Sequence, residues 1–116
     1  KDKTGLCLNI AINYGGREEL ANAAKRIARD VAEGRLSVDE ITEEQFEKYL
    51  YTAGQPDPDL ILRPSGEYRT SNFLLWQSAY AEYVFMDVLW PDFKPDDLDR
   101  ALHEYAKRNR RFGGVK

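Results

Sequence analysis

The sequence has little of what several kinds of functional site require. It contains one cysteine, Cys7, and one histidine, His103, whereas a protein zinc site draws most of its ligands from these two residue types. A single cysteine also excludes a disulfide within the chain, and Cys7 lies in an apolar run, so we predict a reducing compartment, the cytoplasm. No serine or cysteine pattern accompanies His103, so a catalytic role for it is not favoured.

Long apolar runs and an excess of positive charge are also missing. The longest apolar stretches, such as Phe73–Trp76, fall far short of the roughly 18 residues that a membrane-spanning helix needs. The net charge of -3 gives no general attraction to nucleic acid, so no nucleic acid partner is expected. The chain opens without an apolar leader, which predicts that the given residues carry no secretory signal and leaves open a segment that has been removed. With 116 residues and no repeat or linker, we expect at most one domain.

Three short apolar runs have the character of strands that are covered on both faces, as in parallel sheets. They are Leu6–Ile12, Leu60–Leu62 and Tyr83–Met86. The first run stops at a turn with paired glycines, and the second follows a proline-rich turn.

Four segments carry helical spacing or helix-start signals. The predicted helices run from Arg17 to Val31, from about Glu43 to Leu50, from Phe73 to about Tyr80, and from Pro95 to a basic end at Lys107–Arg111. Capping boxes at Ser37–Glu40 and Thr42–Gln45 precede the second helix. Ser71 and Asn72 are predicted to cap the third helix, and Gly113-Gly114 to end the last one.

The alternation of these strands and helices predicts the fold class. It indicates right-handed crossovers and therefore an α/β fold with a parallel sheet flanked by helices. Three strands are few against the ~5–6 of an average sheet. A parallel sheet this small would leave apolar edges unpaired, so we interpret the chain as part of a larger sheet.

The densest group of polar side chains lies between Arg63 and Asn72. It follows the C-terminal end of a predicted strand, where open parallel sheets bind ligands. Two guanidiniums, several hydroxyls and a glycine that would let backbone N–H groups converge suit a phosphate or diphosphate. The alternative is structural: Arg63 and Arg69 would pair with Glu67 and Asp59, while Ser71 would only cap a helix.

Three further segments offer weaker signals. Gly15 and Gly16 could let the backbone approach a ligand, or could simply form the turn that enters a helix. Glu82, at the start of the third predicted strand, would suit Mg²⁺ as a lone carboxylate, but usually such a residue is solvated. The cations of Lys107–Arg111 exceed what a helix end requires, which makes a second anion contact plausible.

Five motifs, in order, cover the chain from about Leu6 to Val115 and resemble those of the cis-prenyltransferase family. The motifs are Asn9–Arg17, Arg63–Gln77, Ala79–Glu82, Val88–Phe93 and Arg110–Gly114. The resemblance implies a parallel sheet flanked by helices and a homodimer. It also implies an Mg²⁺-dependent enzyme that adds isopentenyl diphosphate to an allylic prenyl diphosphate with cis geometry. The implied product is a long polyprenyl diphosphate, the lipid carrier of cell wall synthesis, and its release implies transient membrane contact.

The resemblance also implies roles for residues in the Arg63–Gln77 motif. Arg63, Arg69 and Ser71 would hold the diphosphate of isopentenyl diphosphate. Glu67 would support the two arginines and would complete a catalytic set with them.

The remaining motifs imply further roles. Glu82 resembles the acidic residue that the family ties to Mg²⁺. Arg111 and Gly113 resemble the C-terminal R-x-G element, which reaches a diphosphate site partly across the dimer. Asn13 and Arg17 match the family's motif, and we carry over only a supporting role for them.

Two features depart from the family pattern. Pro64 stands where many relatives have threonine, which stiffens the entry to the loop. The family's chain is about twice as long, and its N-terminal half, with the allylic-diphosphate motif, is absent from this sequence. We therefore predict that residues 1–116 are the C-terminal half of one domain and are inactive alone. The alternatives are a non-catalytic partner subunit and an α/β module that binds another phosphate compound.

Overall fold

The computed structural model describes residues 2–113 as three α-helices, two strands and two short 3₁₀ helices. The α-helices are α1 (Gly16–Ala32), α2 (Glu43–Glu47) and α3 (Pro95–Ala106); the strands are β1 (Leu60–Arg63) and β2 (Glu82–Phe85); the 3₁₀ helices are Val38–Glu40 and Trp90–Asp92. The two strands pair in parallel. The predicted α/β class with a parallel sheet is therefore confirmed.

Helix α1 forms where the helical spacing predicts it. Glu18 and Glu19 lie in its first turn and Arg29 in its last, so the side-chain charges complement the helix dipole. Gly34 follows the helix with a φ of 76°, a conformation that glycine adopts without steric cost. The face that packs inward is rotated from the predicted one, because its buried residues are Gly16, Glu19, Ala23 and Ile27.

The two-stranded sheet and α3 form the main apolar core. Leu60 of β1 pairs with Glu82 of β2, and Arg63 pairs with Phe85. Because the strands are parallel, Arg63 lies at the C-terminal edge of the sheet and Glu82 at the N-terminal edge. The buried members of the core are Val84, Met86 and Ala101, with Leu60, Leu62, Val88 and Phe93 packed against them.

Helix α3 forms as predicted, although its apolar stripe is only partly covered. Ala101 is fully buried, whereas Leu98 and Leu102 remain 43% and 47% exposed. The helix ends at Ala106, earlier than the predicted basic end, because Arg108 and Arg110 leave it to donate hydrogen bonds to backbone carbonyls near β2. Of the predicted Gly113-Gly114 stop, Gly114 lies outside the described residues.

The predicted strand Leu6–Ile12 does not form. The segment has no regular secondary structure, and its leucine and isoleucine residues are 75–94% exposed. A strand needs a neighbour that supplies the other half of each hydrogen-bonded pair. Within residues 2–113 the sheet consists of β1 and β2 alone, and the segment joins neither.

The predicted helix Phe73–Tyr80 is also wrong, since the segment folds as a series of turns. Ser71, Asn72 and Leu74 have φ values of 50°, 68° and 47°. An α-helix requires φ near about -63°, so these left-handed residues prevent a regular helix from starting here. Ser71 and Asn72 consequently cap no helix that follows them.

Helix α2 is shorter than predicted and ends at Glu47. Its start is as predicted, because the hydroxyl of Thr42 accepts a hydrogen bond from the backbone N–H of Gln45 at 3.1 Å. Among the helices described in residues 2–113, none has the length and apolar character needed to span a membrane.

Candidate functional site

The loop after β1 brings the predicted Arg63, Arg69 and Ser71 to one edge of the sheet. Arg63 is half-buried at the C-terminal end of β1, and its Nη2 donates a long hydrogen bond of 3.3 Å to Ser71 Oγ. Arg69 forms an ion pair with Glu67. The two arginines line a cleft of about 500 Å³ that Trp90 also borders. The two arginines thus face a space large enough for a small phosphorylated ligand, and Ser71 is linked to it through its hydrogen bond with Arg63.

The observed ion pairs test the structural alternative, in which the two loop arginines would pair with Glu67 and Asp59. Arg69 pairs with Glu67 as that alternative predicted, but Asp59 pairs with Arg110 and not with Arg63. In the described part of the chain, Arg63 makes no ion pair with a carboxylate. Among the described residues, the only side-chain partner of this half-buried guanidinium is a neutral hydroxyl, so its positive charge is available to pair with an anion.

Two backbone N–H groups of the loop are already hydrogen-bonded within the chain. The N–H of Ser65 donates to the carbonyl of Val88 at 2.7 Å, and that of Gly66 to the carbonyl of Met86 at 2.8 Å. Both residues have left-handed φ values, 70° and 65°. These bonds fix the loop to the segment after β2, so these two N–H groups are not available to an anion.

The paired glycines before α1 pack against a residue of the same loop. The backbone N–H of Gly16 donates to the carbonyl of Asn72 at 2.6 Å, and that of Arg17 donates to Asn72 Oδ1 at 2.9 Å. A Cβ built on Gly15 would lie 2.9 Å from Asn72 Nδ2. The predicted ligand approach at these glycines is therefore replaced by a tertiary contact.

Substituting Gly16 tests this packing. Within a helix, Gly→Ala usually stabilises by about 0.5–1 kcal/mol. Here the new Cβ would lie 2.8 Å from Leu75 Cγ and 2.9 Å from the backbone oxygen of Asn72. We therefore expect Gly16→Ala to lower the free energy of unfolding by about 1–2 kcal/mol. Urea unfolding measures it, with Gly5→Ala as the control because no atom lies within 4 Å there. A stabilised Gly16→Ala variant would contradict the observed contact.

A buried polar cluster lies beneath this junction. Glu19 is 1% exposed and accepts hydrogen bonds from the hydroxyl of Tyr14, from the backbone N–H of Tyr51 at 2.8 Å and from Gln77 Nε2 at 3.1 Å. Gln77 Nε2 also donates to Thr52 Oγ1 at 3.0 Å. Burial and the adjacent Glu19 carboxylate raise the pKa of Tyr14 well above its usual range. The cluster thus connects α1 to two separate loops.

Sequence reasoning missed this cluster and the contact of Asn72. By sequence, Glu19 is only an acidic residue in the first turn of a helix, and Asn72 was predicted to cap a helix. The available signal was the rotated face of α1, because Glu19 shares helical spacing with Ala23 and Ile27.

Glu82 lies at the other edge of the sheet, away from Arg63. The Arg63–Phe85 pair lies three residues beyond the Leu60–Glu82 pair, which corresponds to about 10 Å along the strands. The Glu82 carboxylate accepts a hydrogen bond from Arg108 Nη1 at 3.3 Å, and Arg108 also bonds the carbonyl of Tyr83. Within one chain, Glu82 therefore does not meet the Arg63 side chain.

Glu82 was also the predicted metal ligand, which its surroundings test directly. Its carboxylate is paired with Arg108, and within residues 2–113 no group of three or more His, Cys, Asp or Glu side chains is placed to hold a metal ion. Mg²⁺ is commonly held by one or two carboxylates together with substrate phosphates. Glu82 offers one carboxylate that is already paired with a cation, so the described residues on their own do not fit a magnesium site.

The C-terminal segment packs near the same edge as Glu82. The Phe112 ring lies 5.9 Å from the Tyr80 ring, and Gly113 has a φ of 77° against Tyr80. Arg111 is exposed. The predicted R-x-G residues therefore do not join Arg63 within one chain.

The two residues predicted to support the site lie in the turn before α1. Asn13 is exposed with a φ of 54°. Arg17 contributes its backbone N–H to the contact with Asn72. No described contact joins either side chain to the loop arginines.

The fold and this edge together define an α/β protein with a cationic cleft at the C-terminal end of a parallel strand. The family model "Putative undecaprenyl diphosphate synthase" matches residues 1–113. The chain belongs to this prenyltransferase family, as its motifs predicted. Within the family, those motifs most resemble the ones of the undecaprenyl diphosphate synthases, and the description of the matching model agrees.

Individual relatives agree with the family match. The chain is 54% identical to an isoprenyl transferase of Clostridium perfringens over 116 residues, which are 100% of this chain and 46% of that one. It is 60% identical to a tritrans,polycis-undecaprenyl-diphosphate synthase (geranylgeranyl-diphosphate specific) of Thermoplasma acidophilum over 91% of this chain and 41% of that one.

A solved structure shows the same fold. The lavandulyl diphosphate synthase of Lavandula x intermedia, in complex with dimethylallyl diphosphate, superposes with a TM-score of 0.85 and 46% identity. The match covers 89% of this chain and 44% of that one. The chain thus spans less than half the length of these three proteins.

Proposed function

We propose that the complete protein carrying this chain is a cis-prenyltransferase that condenses isopentenyl diphosphate with an allylic prenyl diphosphate. The observation that carries the proposal is Arg63: a half-buried guanidinium at the C-terminal edge of the sheet, without a carboxylate partner in the described part of the chain. The names of the chain's relatives support the same chemistry, since these relatives are isoprenyl transferases and undecaprenyl diphosphate synthases.

In this proposal the loop residues hold the diphosphate of isopentenyl diphosphate. Arg63 and Arg69 supply positive charge and directional N–H donors, and Ser71 supplies a hydroxyl that can donate to a phosphate oxygen. Glu67 holds the Arg69 guanidinium in place through its ion pair. The bound molecule is then fixed at its anionic end, which leaves its double bond free to be directed toward the allylic carbon.

The chemistry needs no nucleophile from the protein. The allylic carbon–oxygen bond breaks and its electron pair leaves with the diphosphate, while the double bond of isopentenyl diphosphate forms the new carbon–carbon bond. Loss of a proton from the isopentenyl unit restores a double bond. The contribution of Arg63 and Arg69 is to orient the acceptor and to stabilise the negative charge of its diphosphate.

Four further properties complete the proposal as predictions from the family resemblance. They are dependence on Mg²⁺, a homodimer, a cytoplasmic location with transient membrane contact at product release, and use of the long polyprenyl product as a cell wall lipid carrier. Glu82, Arg111 and Gly113 lie at the edge away from Arg63, so their predicted diphosphate and metal roles require a second polypeptide segment at that edge.

Incorporation of labelled isopentenyl diphosphate by the complete protein tests the proposal. Farnesyl and geranylgeranyl diphosphate serve as primers, with Mg²⁺ present, and the products are separated by chain length. We expect extraction of a labelled long-chain polyprenyl diphosphate. If the complete protein incorporates no label from either primer, yet binds isopentenyl diphosphate, the non-catalytic subunit is favoured. If it binds nucleotides instead, another phosphate-binding function is favoured.

A further inference from the structure

Asn72 connects the candidate diphosphate loop to the first turn of α1, although it follows that turn by more than fifty residues. Its backbone oxygen accepts from the N–H of Gly16 at 2.6 Å, and its side-chain Oδ1 accepts from the N–H of Arg17 at 2.9 Å. We propose that Asn72 is a positioning residue, which sets the placement of Ser71 and Arg63 for the diphosphate. This inference rests on the proposed function.

The helix side of the contact depends on Asn72 because α1 lacks a cap of its own. The residue at the N-cap position is Gly15, which has no side chain to accept a hydrogen bond. The first N–H groups of a helix have no partner within it. Asn72 supplies two acceptors for these groups from outside the helix, in the manner of an N-cap residue that is distant in sequence.

The loop side depends on the same contact because of its backbone conformation. Ser71 and Asn72 are consecutive left-handed residues, with φ values of 50° and 68°. Asparagine tolerates this conformation better than most residues, whereas serine adopts it less readily. A strained conformation persists only where its surroundings fix it. The two bonds of Asn72 provide that restraint directly beside Ser71.

From Ser71 the restraint extends to Arg63, whose Nη2 donates to the Ser71 hydroxyl at 3.3 Å. The path is therefore short: α1, Asn72, Ser71 and Arg63. On the helix side the packing is tight, because a Cβ at Gly16 would lie 2.9 Å from the backbone oxygen of Asn72. Fixing the loop before binding removes an ordering cost that the ligand would otherwise have to offset.

This role predicts a specific kinetic pattern. Without the anchor, the loop must order when the diphosphate binds, and that cost falls equally on the bound substrate and on the transition state. A loss of uniform binding raises KM and leaves kcat unchanged. A residue that supports only the global fold would instead lower the melting temperature and the active fraction, without a selective change in the KM for isopentenyl diphosphate.

The test compares Asn72→Gly with Asn22→Gly in the complete protein. Glycine keeps the left-handed backbone at position 72 while removing the side-chain acceptor. Asn22, in the middle of α1, makes the matched control, because the same substitution there weakens the helix without touching the junction. The measurements are kcat, the KM for isopentenyl diphosphate, the KM for the allylic primer, the melting temperature, and hydrogen exchange of the Gly16 and Arg17 amides.

For Asn72→Gly we expect a three- to tenfold rise in the KM for isopentenyl diphosphate, with kcat and the KM for the primer within twofold of the parent. Exchange of the Arg17 amide should be faster. Asn22→Gly should lower the melting temperature while leaving both KM values unchanged. If Asn72→Gly changes the KM for isopentenyl diphosphate by less than twofold, or no more than Asn22→Gly does, Asn72 has no positioning role.

A third variant separates this inference from the function on which it rests. Arg63→Ala removes a proposed diphosphate ligand and is measured beside the other two. If Arg63→Ala raises the KM for isopentenyl diphosphate and Asn72→Gly does not, only the positioning role is overturned. If neither variant affects isopentenyl diphosphate, both the site assignment and the positioning role are overturned.

Discussion

Arg63→Ala in the complete protein is expected to lower kcat/KM for isopentenyl diphosphate by 10- to 100-fold. The guanidinium sits half-buried at the end of β1 and has only the Ser71 hydroxyl as a side-chain hydrogen-bond partner in the described residues. A charge-assisted hydrogen bond of this kind contributes about 1.5–3 kcal/mol, which corresponds to a rate factor of about 10–10². Steady-state kinetics with the allylic primer held at saturation measure this loss.

The control for this variant is Arg29→Ala. Arg29 is exposed in the last turn of α1, far along the helix from the candidate cleft. It matches the change in charge and side-chain volume, and its kcat/KM should remain within twofold of the parent. Arg69→Ala should fall in the same range as Arg63→Ala, because both guanidiniums line the cleft. Normal turnover by both loop variants would show that the diphosphate binds elsewhere.

Glu19→Ala is expected to cause the largest loss of stability, about 3–4 kcal/mol in the free energy of unfolding. The carboxylate is 1% exposed and accepts hydrogen bonds from Tyr14, Tyr51 and Gln77. Its removal leaves the Tyr51 N–H and the Tyr14 hydroxyl unpaired, each at a cost of about 1–3 kcal/mol if it stays buried. Gln77 keeps one partner, Thr52. Urea unfolding of the complete protein at neutral pH measures the difference.

Glu18→Ala provides the matched control for Glu19→Ala. Glu18 is the preceding residue of α1, is exposed, and accepts from the hydroxyl of Tyr51 at 2.9 Å. Because that hydroxyl can turn to water, the loss should stay below about 1 kcal/mol. Equal losses for the two variants would mean that the buried cluster adds nothing to stability beyond a helix-dipole contribution.

The elements that sequence predicted correctly are those decided by nearby residues. Helix α1 has acidic residues at its start and a glycine after its end. Helix α3 starts with Pro95, and the Asp97 carboxylate in its first turn accepts a hydrogen bond from the Lys94 N–H at 2.8 Å. The short apolar strand β1 sits between turn residues that mark its start and end. In each case the deciding interactions span only a few positions along the chain.

The failures come from interactions that a local pattern does not contain. The run Leu6–Ile12 has the composition of a buried strand, but a strand forms only where another strand pairs with it. The segment after Asn72 has helical spacing, but its entry is held in left-handed conformations by bonds to α1. Long-range contacts override local propensity at both places.

The sequence predicted which residues form the candidate site better than it predicted how they are arranged. The cationic loop follows β1 as predicted, because the carboxyl ends of parallel strands are where such loops occur. Two of its backbone N–H groups, those of Ser65 and Gly66, are not available to a ligand, because they bond to the segment after β2. Glu82 begins its strand whereas Arg63 ends its own, and only the parallel register reveals that they lie at opposite edges.

The uncovered run Leu6–Ile12 has a consequence for how this polypeptide behaves before it meets whatever covers that run. The run is mostly apolar, carries no charge and is not paired into the sheet, and its leucine and isoleucine residues are 75–94% exposed. Such a segment is a template for pairing with another copy of itself, and therefore for aggregation. During synthesis and refolding it is a natural binding segment for chaperones. A lysine in place of Ile10 would reduce aggregation of the polypeptide but would also weaken the packing of this run when it is covered.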